Sequence, residues 1–135
     1  MNLRTLSIRL STAVLLGIVA WLGRDGTIAA VFGILFLLPF YGFPPIVSIS
    51  LSTHSKNPFS QLILAAASLL YGVWFAYAMY DAFYVNSDPQ SGLIILAVGF
   101  AFLHVLFPLW LTAIVIEICH RIYYRKKNQK ARTEP

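Results

Sequence analysis

Phe36-Leu37-Leu38-Pro39-Phe40-Tyr41-Gly42-Phe43-Pro44-Pro45 is the stretch whose reading decides the fold. Its side chains are apolar enough for lipid, yet three prolines and a glycine oppose a regular helix through it. Each proline lacks an N–H, collides with the carbonyl four residues back, and pushes the residue before it out of the helical region. Leu38, Phe43 and Pro44 are the residues so displaced. Carbonyls between about Leu35 and Phe43 therefore lose helical partners. In hydrocarbon each orphaned group costs several kcal/mol unless protein or water meets it. The stretch reads as a membrane helix broken near mid-bilayer, with its broken face turned away from lipid.

The remainder of the chain supports a bilayer setting. Of its 135 residues 59% are hydrophobic and 11% charged, against about half and about a quarter in a soluble domain. A span takes roughly 20 residues, so four spans with short loops use nearly the whole length. The expectation is an all-α polytopic membrane protein: a bundle of four transmembrane helices at about 6–23, 28–51, 59–83 and 93–118. Helices 2 and 4 are expected to be proline-kinked, by Pro39, Gly42, Pro44 and Pro45 in one and Pro108 in the other. Residues 1–127 form the membrane domain, and 128–135, polar without apolar periodicity, read as a disordered basic tail.

Taken in order, the first apolar run, Leu10 to Leu22, is short. It resembles the core of a signal peptide, but no clear cleavage site follows and Trp21 succeeds Ala20, so it reads as retained, with Arg9 reaching the interface. Thr27 is placed to cap the second span, and Ser48, Ser50 and Ser52 in its later half are placed to bond carbonyls or neighbouring helices. In the polar loop before the third span, Asn57 reads as a cap and Pro58 as the first helical residue. Asp88-Pro89 repeats that pattern. Ala65-Ala66-Ala67-Ser68 and Gly72 make the third span slim enough for close helix approach. Its later half, with Tyr71, Trp74, Phe75, Tyr77, Tyr80, Phe83 and Tyr84, reads as an interfacial aromatic belt.

The net charge of +5 sorts by side. Four spans bring Arg4, Arg9, Lys56, Arg121, Arg125, Lys126, Lys127, Lys130 and Arg132 together, opposite Arg24, Asp25 and Asp88. Positive residues stay inside, which predicts both termini in the cytoplasm and makes the basic excess a topology signal rather than a nucleic-acid one. In general character the chain resembles small multi-pass bacterial membrane proteins, a class and not a family, and a bacterial inner (cell) membrane is expected. The expected partners are the bilayer, anionic lipid at the basic C-terminal tail, and a second copy or another membrane subunit. Cys119 is the lone cysteine, which excludes an intrachain disulfide and a cysteine-rich metal site.

Ionisable residues inside spans are functional hypotheses by default. His104 lies near the middle of the fourth span, and Pro108 removes the N–H that would meet its carbonyl. Tyr41 and the second-span prolines fall at similar depth, and discontinuous helices meeting at the midplane are how many transporters build sites. His104 and Tyr41 are thus a candidate ligand or proton site, set against a histidine merely bonded within the bundle. Asp81, near the outer end of the third span, is a third candidate, set against a carboxylate that reaches water. Glu117-x-x-His120 has di-iron spacing but lacks the further glutamates such a site needs. A Glu117–Arg121 pair at i,i+4 is the simpler account. The sequence has no Gly-rich phosphate loop, G-x-S-x-G or H-E-x-x-H. The expectation is a non-enzymatic structural or accessory subunit without cofactor or metal. The alternative is a small oligomeric transporter or channel using His104 and the broken second helix.

Overall fold

The computed structural model describes residues 2–23, 26–81, 84 and 91–134. Arg24, Asp25, Phe83, Asp88 and Pro89, used above for topology, capping and the aromatic belt, lie outside the described residues. Helix α1 spans Leu3–Leu22, α2 Thr27–Phe32, α3 Leu38–Tyr41, α4 Phe43–His54, α5 Pro58–Tyr80 and α6 Ser91–Thr133. A π-helical turn, Gly33–Leu37, joins α2 to α3 without a gap. The described chain is all-α. Helices α1 and α5, and α6 from Leu103, are long and apolar enough to cross a membrane. A bent pair, Leu35–Tyr41 with Phe43–His54, makes a fourth candidate if taken as one span.

That pair meets at 54°, at the stretch that opened the argument. Gly42 is the joint. Its N–H donates to the Leu38 carbonyl at 2.7 Å, and its own carbonyl accepts from Ile46 N–H at 3.1 Å. A Cβ on Gly42 would lie 2.7 Å from the Leu38 oxygen and 3.1 Å from a Leu15 methyl, so only glycine fits this closure. The carbonyl that Pro45 deprives of its partner belongs to Tyr41. It accepts instead from the Tyr71 hydroxyl on α5, at 2.8 Å. Shelter of the break is one-sided: Tyr41, Gly42, Pro44 and Pro45 are buried, while Pro39, Phe40 and Phe43 are exposed.

Helix α6 behaves differently. It carries Pro108 without a break, and the Pro108 carbonyl accepts from the Thr112 hydroxyl at 2.7 Å. The same helix runs through 128–133, where composition pointed to a disordered tail. Lys, Gln, Ala and Arg are good helix formers, and extending a helix already nucleated costs far less than starting one.

Helix α5 is the centre of the bundle, packed against α1, α4 and α6, with α4 also against α1. Its slim residues explain the approach. Ala65, Ala67 and Ser68 are buried, and a Cβ on Gly72 would sit 2.7 Å from a Val14 methyl of α1. Ile18, Leu64 and Leu106 are fully enclosed between the helices. The outward faces carry Leu16, Phe32, Phe36, Leu69, Val73 and Phe107, all more than half exposed. Exposed apolar side chains in this number mark faces that meet lipid or protein rather than water.

Candidate functional site

Side-chain hydrogen bonds gather where α4 turns into α5. The turn, Ser55-Lys56-Asn57, brings the carbonyl end of one helix beside the amide end of the next. The last carbonyls of a helix and the first amides lack partners within it, and their partial charges are opposite. Both sets are met by side chains of the right sign. At the end of α4, the Thr53 carbonyl accepts from Arg4 Nη2 at 2.6 Å and the His54 carbonyl from Arg121 Nη2 at 2.7 Å. At the start of α5, Glu117 Oε2 accepts from the backbone N–H groups of Lys56 and Asn57, each at 3.0 Å. The Ser55 hydroxyl donates to the same oxygen at 3.1 Å. Glu117 Oε1 accepts from Arg121 Nε at 3.1 Å. An ionised carboxylate, which only accepts, matches these four donors.

The turn also locks itself. Asn57 caps α5, its side chain accepting from Phe59 N–H at 2.8 Å, with Pro58 as the first helical residue. This is the arrangement the Asn-Pro pair predicts. Gln61 Nε2 donates to the Ser55 carbonyl at 3.1 Å. Below the turn a ladder of hydroxyls ties the helices: Ser7 to Ser52 at 2.7 Å, Ser11 to Ser68 at 2.6 Å, Ser60 to the Ala113 carbonyl at 3.0 Å. Trp110 Nε1 donates to Ser48 Oγ at 3.2 Å. Bonds of this kind average about 0.6 kcal/mol in a membrane bundle, so they fix register more than they supply stability. Among the described residues every buried side-chain nitrogen and oxygen has a partner.

The residues singled out from the sequence fall elsewhere. Tyr41 is buried, its ring against Phe75 at 5.5 Å. His104 stands on an exposed part of α6. Asp81 follows the last residue of α5 and is half-buried, at the end of α5 away from the turn. Of Glu117 and its neighbours, the Arg121 pair is present, while His120 packs its ring on Tyr124 at 4.5 Å. Among the described residues no three His, Cys, Asp or Glu side chains gather as metal ligands. Sequence reasoning missed that Glu117 serves the turn. The available signal was a buried-depth acid facing a polar loop with a helix start, but the partners are 60 residues apart.

No family model, curated protein or solved structure matches the chain. The class therefore rests on the molecule itself: the described residues are all-α, and helices long and apolar enough to cross a membrane point to a membrane protein.

Proposed function

We propose that the chain is a four-span integral membrane protein with both termini in the cytoplasm, acting as a non-enzymatic structural or accessory subunit. The bent pair counts as one span in this reading. The N-terminus, the α4–α5 turn and the charged part of α6 then share one side. The contacts of Arg4 and Arg121 with the end of α4 support that arrangement. The observation that carries the accessory role is the satisfied interior. Buried hydroxyls, the Glu117 carboxylate and the Trp110 indole are spent on one another and on backbone, while broad apolar faces remain for lipid or another membrane helix.

The break at Gly42 beside Tyr41 favours one rival, the small transporter or channel that uses His104. Reconstitution into vesicles separates the two. The accessory role expects no proton or ion flux above protein-free vesicles, and a folded His104→Ala protein indistinguishable from wild type. A flux that His104→Ala abolishes without loss of folded protein replaces this reading with the transporter. Reporters fused after Pro135 test the topology: activity on the outer face alone overturns it.

A further inference from the structure

One turn beyond Glu117, α6 and the α4–α5 turn enclose a groove of about 460 Å³. Lys56 lines it from the turn, and His120, Arg121, Tyr124, Arg125 and Asn128 line it from α6. The five α6 positions follow the i, i+4, i+8 rows of one helix face. Three fixed positive charges thus converge, and Arg121 and Arg125 are like charges at i,i+4, an arrangement that is unfavourable without a counter-charge. The carboxylate on the same face, Glu117, answers Arg121 through Nε at 3.1 Å, which leaves the charges of Lys56 and Arg125 to be matched. Both Glu117 oxygens are occupied by Ser55, Lys56 N–H, Asn57 N–H and Arg121 Nε. Glu117 and the His54 carbonyl together hold the Arg121 guanidinium, with two of its donors committed and three of five left over. The Lys56 ammonium and the Arg125 guanidinium have no acidic partner among the described residues.

We propose that this groove is a binding site for one phosphate-bearing anionic lipid headgroup. Guanidinium forks, that of Arg121 already held by Glu117 and the His54 carbonyl, suit phosphate oxygens, and a lysine adds a point charge. The position fits a lipid as source. Exposed Ile118 and Ile122 flank it on α6, and Tyr123 and Tyr124 stand where aromatic rings mark the membrane–water boundary. Basic groups here face headgroups directly. The inference rests on the membrane reading. A chain that does not insert fails the vesicle reconstitution above, a measurement separate from the lipid titration, so the two failures are distinguishable.

The test is lipid titration of the full-length protein in neutral detergent, read by native mass spectrometry as the fraction carrying one phosphatidylglycerol, with phosphatidylcholine as the reference lipid. Lys56→Ala/Arg125→Ala is compared with Lys126→Ala/Lys130→Ala. The second pair removes the same charge from the opposite side of α6, at roughly 100° per residue. The groove pair should weaken phosphatidylglycerol binding about thirtyfold, the opposite pair less than threefold, with helix content by circular dichroism unchanged in both. Equal losses in the two variants mean diffuse attraction to a basic helix and overturn the site. So does unchanged binding in the groove variant. A 1:1 phosphatidylglycerol complex that inorganic phosphate displaces from wild type at millimolar levels, with phosphatidylcholine bound equally well, assigns the groove to a soluble phosphate and overturns the lipid source.

Discussion

The two sides of the Gly42 joint are held by different means. On one side, α4 is fixed along its length. Ser48 accepts from Trp110, Ser52 pairs with Ser7, and its last two carbonyls accept from Arg4 and Arg121. On the other side, residues 27–41 present Ile28, Val31, Phe32, Leu35, Phe36 and Phe40 outward. The described links from this arm to the core lie toward its end: Leu37 and Leu38 pack against the core, and Tyr41 joins it through its carbonyl and ring. Several directional bonds therefore set where α4 sits, whereas apolar packing at Leu37, Leu38 and Tyr41 with one hydrogen bond from Tyr71 sets where the arm sits. In lipid the second kind of attachment is the weaker, because tails offer an exposed Phe much the same surroundings that protein does.

Glu117→Ala is the hardest blow to the fixed side. It leaves two backbone amides, a serine hydroxyl and Arg121 Nε without their acceptor, at a residue only 8% exposed. Hydrogen bonds to charged groups are worth about 1.5–3 kcal/mol each, and stripping a buried charged group of its partner costs about 3–5 kcal/mol. Arg121 is half exposed, so its share is small. The expected loss is about 3 kcal/mol in reversible unfolding by a denaturing detergent, with Glu117→Gln, which keeps one acceptor oxygen, losing about half of that. A cost below about 0.5 kcal/mol for Glu117→Ala means that the turn holds without the carboxylate, and the contrast between the two sides disappears.

The joint itself comes next. Gly42→Ala puts a methyl against the Leu38 carbonyl oxygen, a backbone atom that cannot rotate aside. Overpacking costs about 1–3 kcal/mol. The joint should open instead of compressing, because the arm beyond it is lightly held. A pair of spin labels at Leu35 and Ser50, one on each limb, reads the opening as a longer and broader distance distribution. An unchanged distribution shows that the bend does not depend on the missing Cβ.

These effects also mark what the sequence made legible. Pro39, Gly42, Pro44 and Pro45 located the break, because chain chemistry at one place decides it. Asn57-Pro58 gave the start of α5 for the same reason. Ser48 and Ser52 were recognisable as helix-to-helix hydrogen-bonding residues, though Ser50 in the same alternation is exposed, since a period cannot say which face is inside. The carboxylate over the turn was not legible: the i,i+4 rule pairs Glu117 with Arg121, and nothing local brings residues 55–57 to it. Nor was Tyr71 foreseen as the partner of the Tyr41 carbonyl; the prolines announced an orphan without naming its donor. Pro108 shows the opposite limit: helix α6 continues through it, so a proline in the sequence does not by itself locate an interruption.

The smallest expected effect asks whether the arm is as lightly held as it looks. Phe36 is 62% exposed and stacks on Phe32, one turn back, with centroids 5.9 Å apart. That contact is within the arm, so it steadies the helix locally without tying it to the bundle. Phe36→Ala should therefore change unfolding in detergent by no more than about 0.5 kcal/mol, the range of surface substitutions, whereas a Phe buried in a core costs about 3–5 kcal/mol. The comparison is sharpened by repeating the measurement at several protein concentrations. If the cost rises with concentration, the arm of one copy is covered by another, and the exposed Phe32–Phe36 row is an interface that a single chain leaves open. A large cost independent of concentration places Phe36 in the chain's own core, and the arm then belongs to the same rigid body as α4.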